Sequence, residues 1–177
     1  KTIFDKSSII TNGIDDFWFD NLGSPKKLEK SSEIRLLQVG DVNKNKNIET
    51  TAKAVGLLSQ EGFNIKLSVV GKIKDKRIFN RISKFSFVNY LGYKSKEELI
   101  HIYRDNDIFI LPSKHETFGL VYAEAMSQGL PVIYTKGQGF DGQFKNGEVG
   151  FSVKCDRIDE MAKAIKKVIG NCENISS

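Results

Sequence analysis

Residues that serve several kinds of chemistry are scarce in this sequence. Only two cysteines, Cys155 and Cys172, occur in 177 residues. That count excludes a disulfide-stapled scaffold, and neither thiol has metal-ligand partners at close spacing. Both read as free thiols of a reducing compartment. Two histidines, His101 and His115, leave little material for a metal site. Three prolines against 40% hydrophobic residues are the balance of a soluble globular chain. No apolar run approaches the ~18 residues that a membrane helix needs, and no signal-peptide pattern opens the chain. The length suits one domain with a sizeable core. The chain opens at Lys1 rather than Met, so a fragment of a longer protein is the expectation.

Charge is unbalanced but moderate. Lysine and arginine number 27 against 22 acidic residues, for a net charge of +5. Lysine supplies most of it. Aromatic residues do not interleave with the lysines as in a channel for single-stranded nucleic acid, so no nucleic-acid partner is expected. A solvated lysine-rich surface is the plain reading of composition, and the positions of the lysines carry more information than their number.

Apolar runs and helical periods alternate. Ile34–Gly40, "IKLSVVG" and "SFVNYLG" read as buried strands, as do "DIFILPS", "PVIYT" and "VGFSV". Between them lie helical patterns. Ile48, Ala52, Val55 and Leu58 share one face, with Gly62 near the end, and "KDKRIFNRISKF" follows the second strand. "SKEELIHIY" begins with a capping box of Ser95 and Glu98 and lines Leu99, Ile100 and Tyr103 along one side. "FGLVYAEAMSQG" is a further helix. The last helix starts near Asp156, buries Ile158, Met161, Ile165 and Val168, and is expected to stop at Gly170. The expected fold is α/β: a Rossmann-like three-layer sandwich, with about six parallel strands and helices on both faces. A flexible polar connection is expected across "NLGSPKKLEKSSE".

Ligands of such sheets bind at the carboxyl ends of the strands. Lys44 and Lys46 follow the first strand, Lys72 and Lys74 the second, and Lys94 and Lys96 the third. Lys114, Lys136 and Lys154 follow the remaining three. Such a rim suits a polyanion such as a diphosphate. The alternative, that lysine is simply common in these loops, stays open on this ground.

"TKGQGFDGQF" contains Gly137, Gly139 and Gly142 in the spacing G-x-G-x-x-G. A dinucleotide fingerprint would sit between the first strand and a helix that receives the pyrophosphate. Here the glycines follow the fifth strand, and Asn146-Gly147 then signals a turn. No strand with an acidic end lies the usual ~20 residues on. The pattern is therefore read as accidental for NAD, although backbone at these glycines could still approach a ligand.

"SKHETFGLVYAEAMSQGLPVI" is more specific. Glu116 lies in the loop leaving the fourth strand, and Glu124 lies in a nearly all-apolar helix. Thr117 is placed to cap that helix, and the amides of Phe118, Gly119 and Leu120 would form an anion site. Glu124 is either on a solvent stripe or desolvated.

The chain resembles the C-terminal half of the retaining glycosyltransferases of family 4, which have the GT-B fold. "PSKHETFGLVYAEAMSQGLPVI" is similar to that family's E-x7-E segment, with Glu116 and Glu124 as its glutamates. "LLQVGDVNKNKNIETTAKAVGLL" resembles the first strand, phosphate loop and helix. "NYLGYKSKEELIHIYRDNDIFILPS" resembles the segment ahead of the glutamates, and "TNGIDDFWF" the junction between the two domains. The likeness runs over about residues 8 to 170.

This resemblance implies a donor-binding domain of an enzyme that moves a sugar from a nucleotide-diphosphate sugar to an acceptor, with cell-surface glycan or polysaccharide synthesis as the expected setting. Residues 1–33 would be a junction segment and linker from a missing N-terminal domain, 34–170 the nucleotide-sugar-binding domain, and 171–177 a tail. By resemblance Lys46 grips the donor diphosphate behind Gly40, and Glu116 lies near the donor sugar. These two are the implied catalytic residues. Glu124 accepts from ribose hydroxyls, and Phe118, Gly119 and Leu120 face sugar and phosphate. Gly92 and Tyr93 meet the base. No cofactor or metal is implied, since lysine charge would offset the leaving diphosphate. The implied partners are the nucleotide sugar and the protein's own missing half, with membrane contact only through that half. The implied location is the cytoplasm, with the inner membrane face an option for the full-length protein. Asp41 departs from the pattern, because many members have Arg there. Two other readings are kept: a non-catalytic nucleotide-binding module of the same fold, and a dinucleotide oxidoreductase domain.

Overall fold

The structure is a computed structural model that describes residues 13–26 and 33–175, the last five by their backbone alone. Its elements are α1 (Asp16–Asp20), β1 (Ile34–Val39), α2 (Ile48–Gln60), β2 (Ile65–Val70), α3 (Lys76–Ile82) and β3 (Val88–Gly92), then α4 (Lys96–Asp105), β4 (Ile108–Leu111), α5 (Leu120–Ser127), β5 (Val132–Thr135), β6 (Gly150–Val153) and α6 (Ile158–Ile175). Among the described residues six strands form one sheet, ordered β3-β2-β1-β4-β5-β6. All its pairings are parallel.

Side chains of a strand alternate between faces, and here both faces are covered. Leu36, Ile108, Ile110 and Ile133 point to one side, where they pack with α2, α3 and α6. Leu37, Phe109, Leu111 and Tyr134 point to the other, against Trp18 of α1, Tyr103 of α4 and Tyr122 of α5. This is why the strands read as continuous apolar runs. The chain winds outward from β1 through β2 to β3, then returns to place β4 on the other side of β1. The crevice between the ends of β1 and β4 is therefore the topological switch point.

The capping box of α4 forms as expected. Ser95 Oγ accepts from the Glu98 amide at 3.3 Å, and Glu98 Oε2 accepts from the Ser95 amide at 2.9 Å. Two expectations are corrected. The last helix does not stop at Gly170 but runs to Ile175. Glycine ends a helix by adopting positive φ, and Gly170 does not adopt it. Inside a helix it costs only about 1 kcal/mol.

The second correction concerns the expected polar connection. Its first half is hydrogen-bonded to the end of α5: the Gly23 amide donates to Ser127 O at 2.8 Å and the Lys26 amide to Gly129 O at 3.2 Å. Gln128 Nε2 adds a bond to Asn21 O at 2.8 Å. Residues 27–32 of that stretch lie outside the described residues, as do Thr11 and Asn12 of the junction motif. Ahead of this stretch, α1 buries Trp18, whose ring meets Tyr103 edge to face at 5.6 Å.

Candidate functional site

The loop after β1 is fixed largely by asparagines. Asn47 sits in the left-handed region (φ 55°, ψ 35°) ahead of α2 without capping it. Its buried amide instead donates to Pro112 O at 3.2 Å and Cys155 O at 2.6 Å, which ties the loop to the segments that follow β4 and β6. Asn45 Nδ2 donates to His115 O at 3.0 Å, and Asn45 Oδ1 accepts from the His115 amide at 2.9 Å. Asn43 Oδ1 accepts from the Lys46 amide, and Gln38 Nε2 donates to Lys46 O at 2.6 Å. Gly40 leaves room for the Lys46 stem, since a Cβ there would come within 3.3 Å of it.

The result is a fixed cation at the crevice. Lys46 Nζ lies 2.8 Å from Glu116 Oε2, with side chains 23% and 14% exposed. Ser113 Oγ also donates to that oxygen, at 3.3 Å, and the Glu116 amide donates to Gln138 Oε1 at 2.9 Å. The structure thus brings the two implied catalytic residues together from loops 70 residues apart.

Thr117 does not cap α5, contrary to expectation. The helix begins two residues later, behind Gly119 at φ 68°, with no side-chain cap. A Cβ on Gly119 would lie 2.4 Å from the Tyr122 ring, so only glycine fits this turn. Without a capping side chain, the first amides of α5 remain available for an anion. Phe118 and Leu120 flank the turn with exposed side chains.

The G-x-G-x-x-G stretch has a structural use. The Gly139 amide donates to Glu116 O at 2.9 Å. A Cβ on Gly139 would lie 1.6 Å from Thr117 O. The middle glycine therefore lets the loop after β5 press against the Glu116 loop. No helix follows these glycines; the chain turns and enters β6.

Glu124 faces the α4 side. Its Oε2 accepts from the hydroxyl of buried Tyr103 at 3.3 Å. Burial pushes its carboxyl above the usual range, while the Tyr103 hydrogen bond and the charge of Lys96 pull it partly back. Of the two readings of Glu124, the structure takes the desolvated one.

At the end of β3, Tyr93 is 68% exposed, with Lys72 Nζ 4.8 Å from its ring centroid. Gly92 O accepts from the Gly71 amide there. Asp41 accepts from the Lys72 amide at 3.2 Å. The lysine rim is partly neutralised: Lys94 pairs with Glu98 and Lys96 with Asp15. Among the described residues no group of three or more His, Cys, Asp or Glu side chains is placed to hold a metal ion. No helix among them is long and apolar enough to cross a membrane. Beside the α5 turn lies a groove of about 900 Å³ whose lining includes Ile14, Phe19, Leu22, Phe118 and Leu120.

Sequence alone does not mark Asn45, Asn47, Tyr103 or Gln138 as site residues. An asparagine directly ahead of a helical period is a weak signal for Asn47. Tyr103 reads from sequence only as core.

A doubly wound parallel sheet with a lysine–glutamate pair and free helix amides at its switch point is a Rossmann-like domain equipped for an anionic ligand. Residues 22–174 match the family model "Glycosyl transferases group 1", and the chain belongs to that family. The capsular polysaccharide biosynthesis glycosyltransferase CapM of Staphylococcus aureus is 28% identical over 169 residues, which cover 91% of this chain and 44% of that protein. A glycosyltransferase from Rickettsia africae shares the fold with a TM-score of 0.81 at 23% identity, over 97% of this chain and 50% of that one. Anabaena HepE, solved in complex with UDP and glucose, does so with a TM-score of 0.71 at 20% identity, over 82% and 42%. The chain spans half or a little less of the length of these proteins.

Proposed function

We propose that this chain is the donor-binding half of a retaining glycosyltransferase that takes a sugar from a nucleotide-diphosphate sugar. The observation that carries the proposal is the Lys46–Glu116 pair, 2.8 Å apart beside the uncapped start of α5. An arriving diphosphate competes with Glu116 for Lys46. With Lys46 drawn to phosphate, Glu116 is released beside the donor sugar. When the bond from the anomeric carbon to the diphosphate oxygen breaks, the charge that develops on the diphosphate meets Lys46 and the amides of Phe118, Gly119 and Leu120. In this reading Lys46 takes the place of a divalent metal. Glu124 accepts from the ribose hydroxyls, acting as an acceptor-only group, and the base lies toward Gly92 and Tyr93. A protein with this fold, solved in complex with UDP and glucose, supports the reading.

The rest of the full-length protein supplies the acceptor site in this proposal. It faces the groove beside the α5 turn, where Phe19, Leu22, Phe118 and Leu120 leave apolar surface exposed. The proposed setting is cytoplasmic polysaccharide or glycan synthesis, with any membrane contact made through the other half. A thermal-shift panel of UDP-, GDP- and ADP-sugars, with NAD alongside, tests the donor class. At least one nucleotide sugar should raise Tm, with or without a chelator, and NAD should not. Stabilisation by NAD alone would overturn the proposal.

A further inference from the structure

Tyr103 is a costly residue for its place. Its ring is fully buried, with Trp18 edge to face at 5.6 Å and Phe109 at 5.9 Å. Phenylalanine would fill this aromatic box equally well, and a buried hydroxyl left without a partner costs about 1–3 kcal/mol. The hydroxyl has one use here: it donates to Glu124 Oε2 at 3.3 Å. Among the described residues no other side chain hydrogen-bonds that carboxylate. Glu124 stands on a largely apolar helix, where burial works against its charge. The other charged group that bears on it, Lys96, is itself held by Asp15 ahead of α1.

We propose that Tyr103 is a positioning residue for the nucleotide site: its hydroxyl holds one oxygen of Glu124, fixes the rotamer, and leaves Oε1 for a ligand's vicinal hydroxyls. The inference rests on the ribose reading of Glu124. Its physical content is twofold. A carboxylate anchored at one oxygen meets two hydroxyls with little rotamer entropy left to lose. A donor at that oxygen also stabilises the anion, and an ionised carboxylate is the better acceptor. A tyrosine that merely satisfied its hydroxyl on the nearest acceptor would leave ligand selectivity and its pH dependence unmoved when replaced by phenylalanine.

The test is Tyr103→Phe, which keeps the ring and its packing. UDP, GDP and ADP are first compared, and the tightest binder is then titrated beside its 2′-deoxy analogue from pH 5 to pH 8. The wild type should prefer the ribose form. In Y103F that preference should fall about fivefold or more, and it should be lost at higher pH than in the wild type, because the carboxylate protonates sooner as pH falls. Carbon-13 carboxyl shifts of the free protein supply a readout that needs no ligand: the Glu124 midpoint should move up in Y103F. An unmoved midpoint, or an unmoved ribose preference in a folded variant, overturns the inference. Equal binding of ribose and deoxyribose by the wild type, with Glu124→Gln equally indifferent, overturns the ribose reading itself and the inference with it. The carboxyl titration then still reports whether Tyr103 governs the charge of Glu124.

Discussion

At the residue scale, the proposed ribose role of Glu124 sets function against stability. Its carboxyl is raised by burial, so the folded chain holds this proton more tightly than the unfolded chain does. Stability from this group is therefore fully present below the unfolded glutamate range near pH ~4.3, and it is lost as pH rises through the folded value. Glu124→Gln, which resembles the protonated form, should raise Tm over the wild type at pH 7–8, and the margin should shrink toward pH 4. The same variant should lose ribose preference. A lower Tm for the variant at neutral pH would mean that the ionised carboxylate supports the fold, against this account. The sequence places Glu124 in an apolar helix and leaves solvent stripe or desolvation open. Only the neighbour on α4 decides, because Tyr103 reaches it from 21 residues away. Asn47 escaped for the same reason: its partners Pro112 and Cys155 lie 65 and 108 residues on.

At the scale of elements, the loops at the carboxyl edge form one unit. The loop after β1 is tied to the loops after β4 and β6 by Asn45 and Asn47, and the loop after β5 presses on Glu116 and Thr117. This distinguishes the glycines of the G-x-G-x-x-G stretch. A methyl on Gly139 meets backbone, so Gly139→Ala should displace the Glu116 loop, lower stability by about 1–3 kcal/mol, and weaken nucleotide-diphosphate binding. A Cβ on Gly142 meets nothing within 4 Å, so Gly142→Ala carries only the strain of its positive φ, roughly 1 kcal/mol, and should leave binding intact. Urea melts and nucleotide titration of both variants check this. Equal loss of binding from both would favour direct ligand contact by the whole stretch. Strands, helix faces and the α4 capping box were legible because they are written in local periodicity and spacing. The start of α5 was not. Threonine ahead of a helix looks like a cap, but Gly119 can turn the chain with positive φ and moves the boundary past it.

For the whole molecule, alternation of apolar runs and helical periods was enough to give a parallel sheet with both faces covered. The strand order is not a periodic property, and it is this order that makes the β1–β4 crevice. The chain spans half or less of its relatives' length, and the exposed apolar groove lies beside the α5 turn. Orientation of an acceptor against a donor supplies about 7–11 kcal/mol of barrier reduction in favourable cases, and in the proposed function that contribution needs both halves. This chain alone should therefore release no nucleotide diphosphate in an acceptor-dependent way, with or without a chelator. Robust acceptor-dependent release by it would contradict the half-enzyme reading.

The central claim is that a nucleotide diphosphate binds where Lys46 meets Glu116. Isothermal titration of the chain with UDP-, GDP- and ADP-glucose, beside Lys46→Ala, tests it most directly. The wild type should bind at least one of them with a Kd of ~0.1–1 mM, equivalent to about 4–5.5 kcal/mol. Lys46→Ala should fold normally, because the side chain stands in a loop, and should bind about 10–100-fold more weakly, the loss of one charged hydrogen bond. A Lys46→Ala variant that binds as tightly as the wild type, or NAD that competes for the same site, would contradict the account.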